Sequence, residues 1–165
     1  LGKLLFFVNK LVAGVGDFTP GTVKPLALNG HDLGVLICYE AIFPEIARDY
    51  VRTGSDLLVN LTNDAWFGRS SAPRQLLDMT RMRAIENRIW IARSANTGIS
   101  ALIAPDGQTY KETSLFEAVS VAGSVELGSR SSLYLRFGDI LPALCLLLTS
   151  GSLLLLWYVR RKPSG

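Results

Sequence analysis

Cys38 closes an apolar run at residues 33–38 and stands two residues before Glu40, ahead of a helix-like stretch at residues 43–53. A thiol at such a strand-to-helix turn lies near helix N-terminal amides. Their partial positive charge favours the thiolate, the form that attacks carbonyl carbon. The other of the two cysteines, Cys145, sits in a run of leucines and reads as a small packing or lipid-facing residue. No disulfide is expected, and Cys38 is the candidate nucleophile, with a buried packing role as the bland alternative. Other chemistries have little support. His31, the only histidine, reads as an exposed turn residue beside Asn29-Gly30. No nucleophile-elbow signature surrounds a serine, no Gly-rich loop is spaced to cradle phosphate, and no cysteine–histidine cluster has metal-ligand spacing. Neither a cofactor nor a metal is expected.

The elements that must position Cys38 follow from punctuation and periodicity. Residues 25–28 and 33–38 flank Asn29-Gly30, a strong short-range hairpin signal. Pro44 near the start and Gly54 after the end mark a helix over residues 43–53. Residues 57–61 form a buried strand, residues 62–68 a loop, and residues 72–93 a long helix with Leu76, Met79, Arg83 and Glu86 on adjoining turns. Strands are expected at residues 98–104 and 118–125, with a tight turn at Pro105-Asp106-Gly107. Residues 4–15 read as a core-packing helix or a membrane-surface arm, and residues 17–21 as a turn. The pattern is mixed α/β and not a repeat array.

The charge is unevenly placed. Residues 1–139 hold fourteen Lys plus Arg and fourteen Asp plus Glu, so the formal +3 comes entirely from Arg160-Arg161-Lys162. That balance gives no reason to expect nucleic acid as a partner. Residues 140–159 carry no charge, and twenty helical residues span roughly 30 Å, the hydrocarbon thickness of a bilayer. Trp157 and Tyr158 sit where interfacial aromatics are expected, and the basic tail that follows is cytoplasmic by the positive-inside rule. The preceding domain then faces the periplasm. Residues 1–12 lack a small-residue cleavage site, which argues against a signal peptide, so the chain is expected to be the C-terminal piece of something longer. The expected organisation is a partial domain at 1–132, a juxtamembrane linker at 133–139, a transmembrane helix at 140–159 and a basic tail at 160–165.

The segment GVLICYEAIFPE at residues 34–45 resembles the nucleophile segment of the nitrilase (carbon–nitrogen hydrolase) superfamily. NLTNDAWFG at residues 60–68, SAPRQ at 71–75, MTRMRAIE at 79–86 and RSANTGIS at 93–100 narrow the likeness to bacterial apolipoprotein N-acyltransferases. The single membrane helix with its basic tail fits that likeness too. The resemblance implies the C-terminal part of an α-β-β-α sandwich followed by one transmembrane helix. It also implies thioester chemistry in the inner membrane, with a phospholipid as acyl donor and a diacylglyceryl apolipoprotein as acceptor. On that reading Cys38 is the nucleophile and Glu40 a carboxylate supporting it; the competing role for Glu40 is a cap on the following helix. Tyr39, Asn63, Trp66, Phe67 and Gly68 would contact substrate, although Tyr39 also reads as packing and the Trp66-Phe67 pair as buried beneath its loop. Leu76 stands where many relatives have a histidine, and substrate preference or loop packing is expected to differ there. The family's glutamate base and its oxyanion-stabilising lysine have no match here, nor has the upstream bundle of membrane helices. The chain alone is expected to be inactive. A membrane-anchored amidohydrolase using the same cysteine, and a non-catalytic remnant, are the competing readings.

Overall fold

A computed structural model describes residues 21–161. Six strands form one sheet in sequence order: β1 (Leu26–Leu28), β2 (His31–Ile37), β3 (Leu57–Asn63), β4 (Ile91–Asn96), β5 (Ala101–Ile103) and β6 (Thr109–Tyr110). The β1–β2 hairpin turns through Asn29 and Gly30 at φ 51° and 82°, as a two-residue turn with both φ positive requires. The central pairs β2–β3 and β3–β4 are parallel, with Val35 opposite Val59 and Leu61 opposite Ser94. Parallel neighbours need crossovers, and helices α1 (Pro44–Arg52) and α2 (Ala72–Asn87) supply them.

Both helices cover the same face of the sheet. Leu36, Leu58, Ile91, Ala101 and Ile103 point at Ala47, Val51, Leu77 and Ala84, and all are buried. Gly34 permits this approach, since a Cβ there would come within 2.8 Å of the Tyr50 side chain. Ile37 and Leu61, on the opposite face, are exposed. Parallel strands are ordinarily covered on both faces, so an apolar open face is what one half of a layered sandwich presents. After β6 the chain runs without regular structure to α3 (Leu133–Phe137) and then α4 (Ile140–Arg161). Within α4, Ile140–Tyr158 is long and apolar enough to cross a membrane, and among the described residues none of it is buried.

Several expectations are corrected. The second helix ends at Asn87 and not at residue 93, because Arg88 takes a left-handed conformation (φ 52°) and the following residues enter β4. Residues 62–68 are no simple loop: β3 continues to Asn63, and a 3-10 helix spans Asp64–Phe67. The strand expected at 98–104 is only Ala101–Ile103, and residues 118–125 form no strand, the edge of β5 being taken by β6. The 133–139 linker contains α3. His31 is the first residue of β2 and not a turn residue, and its exposed ring lies 3.3 Å from Asp56. Pro105-Asp106-Gly107 turns as expected, with Gly107 N–H donating to Ala104 O at 2.8 Å. The helix or arm at residues 4–15 and the turn at 17–21 fall outside the described residues, apart from Gly21.

Candidate active site

β2 ends at Ile37, and Cys38 opens a 3-10 helix, Cys38–Ile42, that leads through Phe43 into α1. Cys38 has φ 52°, a left-handed conformation that costs a non-glycine residue about 1–3 kcal/mol and persists only where its surroundings hold it. Two groups hold it. The Glu40 carboxylate accepts the Ile37 N–H at 2.7 Å and so closes the turn from below. The Asn60 amide donates to Leu36 O at 3.0 Å and to Cys38 O at 3.3 Å, tying the turn to the neighbouring strand. The half-buried thiol therefore sits at the carboxyl end of a parallel strand, where α/β sheets place their ligands. Glu40 makes the contact of a helix cap. Its charge, after burial, also pushes the Tyr50 phenol above its ordinary range.

Asn60 is itself held by a buried network that sequence reasoning missed. Arg93 donates to Asn60 Oδ1, to Ile99 O at 3.1 Å, to Thr80 Oγ1 at 3.4 Å and to Asp64 Oδ2 at 2.9 Å. Thr62 donates to the other Asp64 oxygen at 2.8 Å. Burial lowers the Arg93 pKa; the Asp64 carboxylate opposes this most, and a Cys38 thiolate adds to the opposition. The available signal was one charged residue in the apolar stretch Ile89-Trp90-Ile91-Ala92-Arg93, which fits a buried strand with a paired cation better than a helix face.

The remaining predicted residues divide into three groups. Tyr39 and Phe67 are brought together: with Ala72, Gln75, Leu76 and Met79 they line a cleft of about 90 Å³, and Tyr39 meets Phe43 edge-on at 6.2 Å. The buried Leu76 thus shapes the cleft wall. Asn63 ends β3, where its Oδ1 accepts from Ala65 N–H at 3.2 Å and from Asn96 Nδ2 at 3.0 Å; Asn96 at the end of β4 was not among the predicted residues. Gly68 caps the Asp64–Phe67 helix at φ 55°. Trp66 is not brought to the cleft. It is 87% exposed, so the burial reading of the Trp66-Phe67 pair holds only in part, for the half-buried Phe67. Among the described residues no side chain hydrogen-bonds the Cys38 thiol, and no group of three or more His, Cys, Asp or Glu could hold a metal.

Residues 6–128 match the family model for carbon-nitrogen hydrolases. The chain is 52% identical over 146 residues to an apolipoprotein N-acyltransferase of Geobacter metallireducens, covering 88% of this chain and 28% of that protein. The apolipoprotein N-acyltransferase of Bradyrhizobium diazoefficiens is 44% identical, over 89% of this chain and 27% of its own length. The chain thus spans under a third of these curated relatives. Among solved structures, an amidase from Nesterenkonia sp. AN1, bearing the product of Michael addition of acrylamide at its active-site cysteine, is 26% identical. It aligns at TM-score 0.50 over 74% of this chain and 49% of its own. A carbon-nitrogen hydrolase from Helicobacter pylori G27 shares the fold at TM-score 0.52 and 19% identity, over 59% of this chain and 42% of that one.

Proposed function

The chain belongs to the carbon-nitrogen hydrolase family, and from that premise we propose that it carries the nucleophile of a membrane enzyme transferring an acyl chain from phospholipid to the N-terminal amine of diacylglyceryl-cysteine apolipoproteins. The Cys38 thiolate attacks an acyl ester carbonyl of the phospholipid. The carbon–oxygen bond to glycerol breaks, the glycerol oxygen takes a proton, and a lysophospholipid leaves a thioester on Sγ. The α-amine of the apolipoprotein then attacks the thioester carbon, the carbon–sulfur bond breaks, and loss of the amine proton gives the amide and frees the thiol.

The observation that carries this reading is the constrained Cys38 turn at the head of a parallel sheet in a chain that also bears an uncovered apolar helix of membrane length. A small polar amide has no need of such an anchor. Two lipid substrates do, because tethering the site at the bilayer raises its effective concentration toward them. The aromatic cleft of Tyr39 and Phe67 and the projecting Trp66 suit acyl chains or the membrane surface, and Asn63 and Gly68 cap the two ends of the Asp64–Phe67 helix that carries Trp66 and Phe67. Glu40 supports the site by holding the turn. The family's glutamate base and lysine have no match in this sequence, so on this reading a general base and a cation for the tetrahedral oxyanion come from other parts of the full-length protein, and these residues alone transfer no acyl chain. The enzyme sits in the bacterial inner membrane, domain outward and basic tail in the cytoplasm.

The test is thioester trapping with the complete coding sequence, wild type or Cys38→Ala, expressed in membranes supplied with an alkyne-tagged phospholipid. Hydroxylamine-labile label is expected on the wild type and absent from Cys38→Ala. A folded, inserted wild type that takes no label but releases ammonia from amides would replace this reading with the amidohydrolase.

A further inference from the structure

One side chain of α1 reaches across to the base of the membrane helix. Arg48 donates from Nε to Leu135 O at 3.1 Å and from Nη2 to Arg136 O at 3.2 Å, and its guanidinium lies 6.0 Å from the Tyr134 ring centroid. These carbonyls belong to the last turn of α3, where acceptors have no partner within the helix and a cation is favoured. Gly138, which ends α3 at φ 66°, leaves the room: a Cβ there would stand 3.0 Å from Arg48 Nη1. At the other end of α3 the Ser132 hydroxyl accepts Leu135 N–H at 2.8 Å and donates to Glu86 O of α2. α3 is thus pinned to α1 and α2 at both ends. Only Gly138 and Asp139 separate it from α4, and only Phe43 separates α1 from the Cys38–Ile42 turn. Leu133 and Phe137 stay exposed on α3 beside the start of the apolar helix.

We propose that Arg48 is a positioning residue: by clamping α3 it fixes the height and orientation of the Cys38 turn relative to the bilayer. This rests on the acyl-transfer reading for its purpose, since the ester of a bilayer phospholipid lies at a set depth that a freely swinging domain would reach only occasionally. The forked guanidinium matters because it serves two carbonyls at once; an ammonium supplies the charge without the fork.

The experiment uses the complete protein in phosphatidylethanolamine–phosphatidylglycerol vesicles, in a Cys145→Ser background. Labelling of Cys38 is compared between a maleimide carried on a phospholipid headgroup and a soluble maleimide. Arg48→Ala is expected to lower the lipid-to-soluble labelling ratio about tenfold, with Arg48→Lys intermediate, since displacement by an ångström costs up to about a hundredfold at a reacting centre. Acyl transfer from bilayer phospholipid falls in parallel. An unchanged ratio, or an equal loss with both reagents, overturns the clamp, the second outcome meaning that Arg48 only supports the fold. Wild-type protein that is labelled but transfers no acyl chain overturns the acyl-transfer reading instead.

Discussion

Arg93 and Arg83 both face a carboxylate in the interior, Asp64 at 2.9 Å and Glu86 at 2.8 Å, yet the two pairs are built differently. Arg93 and Asp64 are 1% and 0% exposed, and Asn60, Thr62, Thr80 and Ile99 O complete their hydrogen bonds. Arg83 and Glu86 are 10% and 16% exposed, and besides their own contacts Arg83 reaches, among the described residues, Ile42 O. Glu86 also feels the charges of Asp139, just before α4, and of Glu45. A buried pair is stable when its remaining donors and acceptors are satisfied, and costly otherwise. The pair behind Cys38 is a fixed scaffold; the pair near Asp139 is a joint whose charge is only partly compensated.

The sharpest way to break that contrast is to remove the cation of the scaffold. Arg93→Met leaves Asp64 buried without a counter-charge and is expected to destabilise the protein by about 3–5 kcal/mol. Thermal unfolding of the complete protein measures it, and the double variant Arg93→Met with Asp64→Leu should recover part of the loss. A loss no larger than that of a surface pair such as Arg74–Glu112 would deny the scaffold its role. Gly98→Ala attacks the same pair sterically, because its Cβ would lie 2.1 Å from Asp64 Oδ2. Overpacking of this kind costs about 1–3 kcal/mol, and unfolding with the Arg93–Asp64 pair intact or already removed tells whether the clash acts through the carboxylate. Asn60→Leu strips the Cys38 carbonyl of its side-chain donor and should cost about 1–3 kcal/mol in stability. Its expected signature is a lower kcat at nearly constant KM, since the turn that aims the thiol is loosened while the cleft of Tyr39 and Phe67 is untouched.

The same contrast explains what the sequence showed and what it hid. The Asn29-Gly30 turn, the strand before Cys38, α1 and the apolar α4 carry local signals, and each appears where punctuation or periodicity puts it. The scaffold is made of contacts distant in sequence, such as Arg93 to Asn60, and leaves no periodic trace. The end of α2 was hidden for a local reason: the left-handed position that glycine or asparagine would advertise is occupied by Arg88. Residues 118–125 read as a strand, but the edge of β5 is already paired with β6, and they join no ladder of the sheet. The left-handed backbone of Cys38 was likewise not written in its residue type; the donors on Asn60 and the acceptor on Glu40 impose it.

The smallest expected effect lies at the joint. Burial raises the Glu86 pKa above its ordinary value, Arg83 opposes the rise, and Asp139 and Glu45 add to it. A carboxyl group whose folded pKa is raised binds its proton more tightly when folded. Its full contribution to stability is therefore present below the ordinary carboxylate pKa. The contribution falls as pH rises between that value and the folded one, because the unfolded chain ionises first. Glu86→Gln is neutral throughout and keeps an oxygen for the Arg83 guanidinium. The variant should accordingly gain ground on the wild type as pH rises from about 4 to 8, whatever its absolute stability, and the difference between the two melting curves cancels the other titrating groups. If the difference stays flat, or the variant loses ground, burial does not penalise the Glu86 charge, and the distinction between scaffold and joint collapses at that residue.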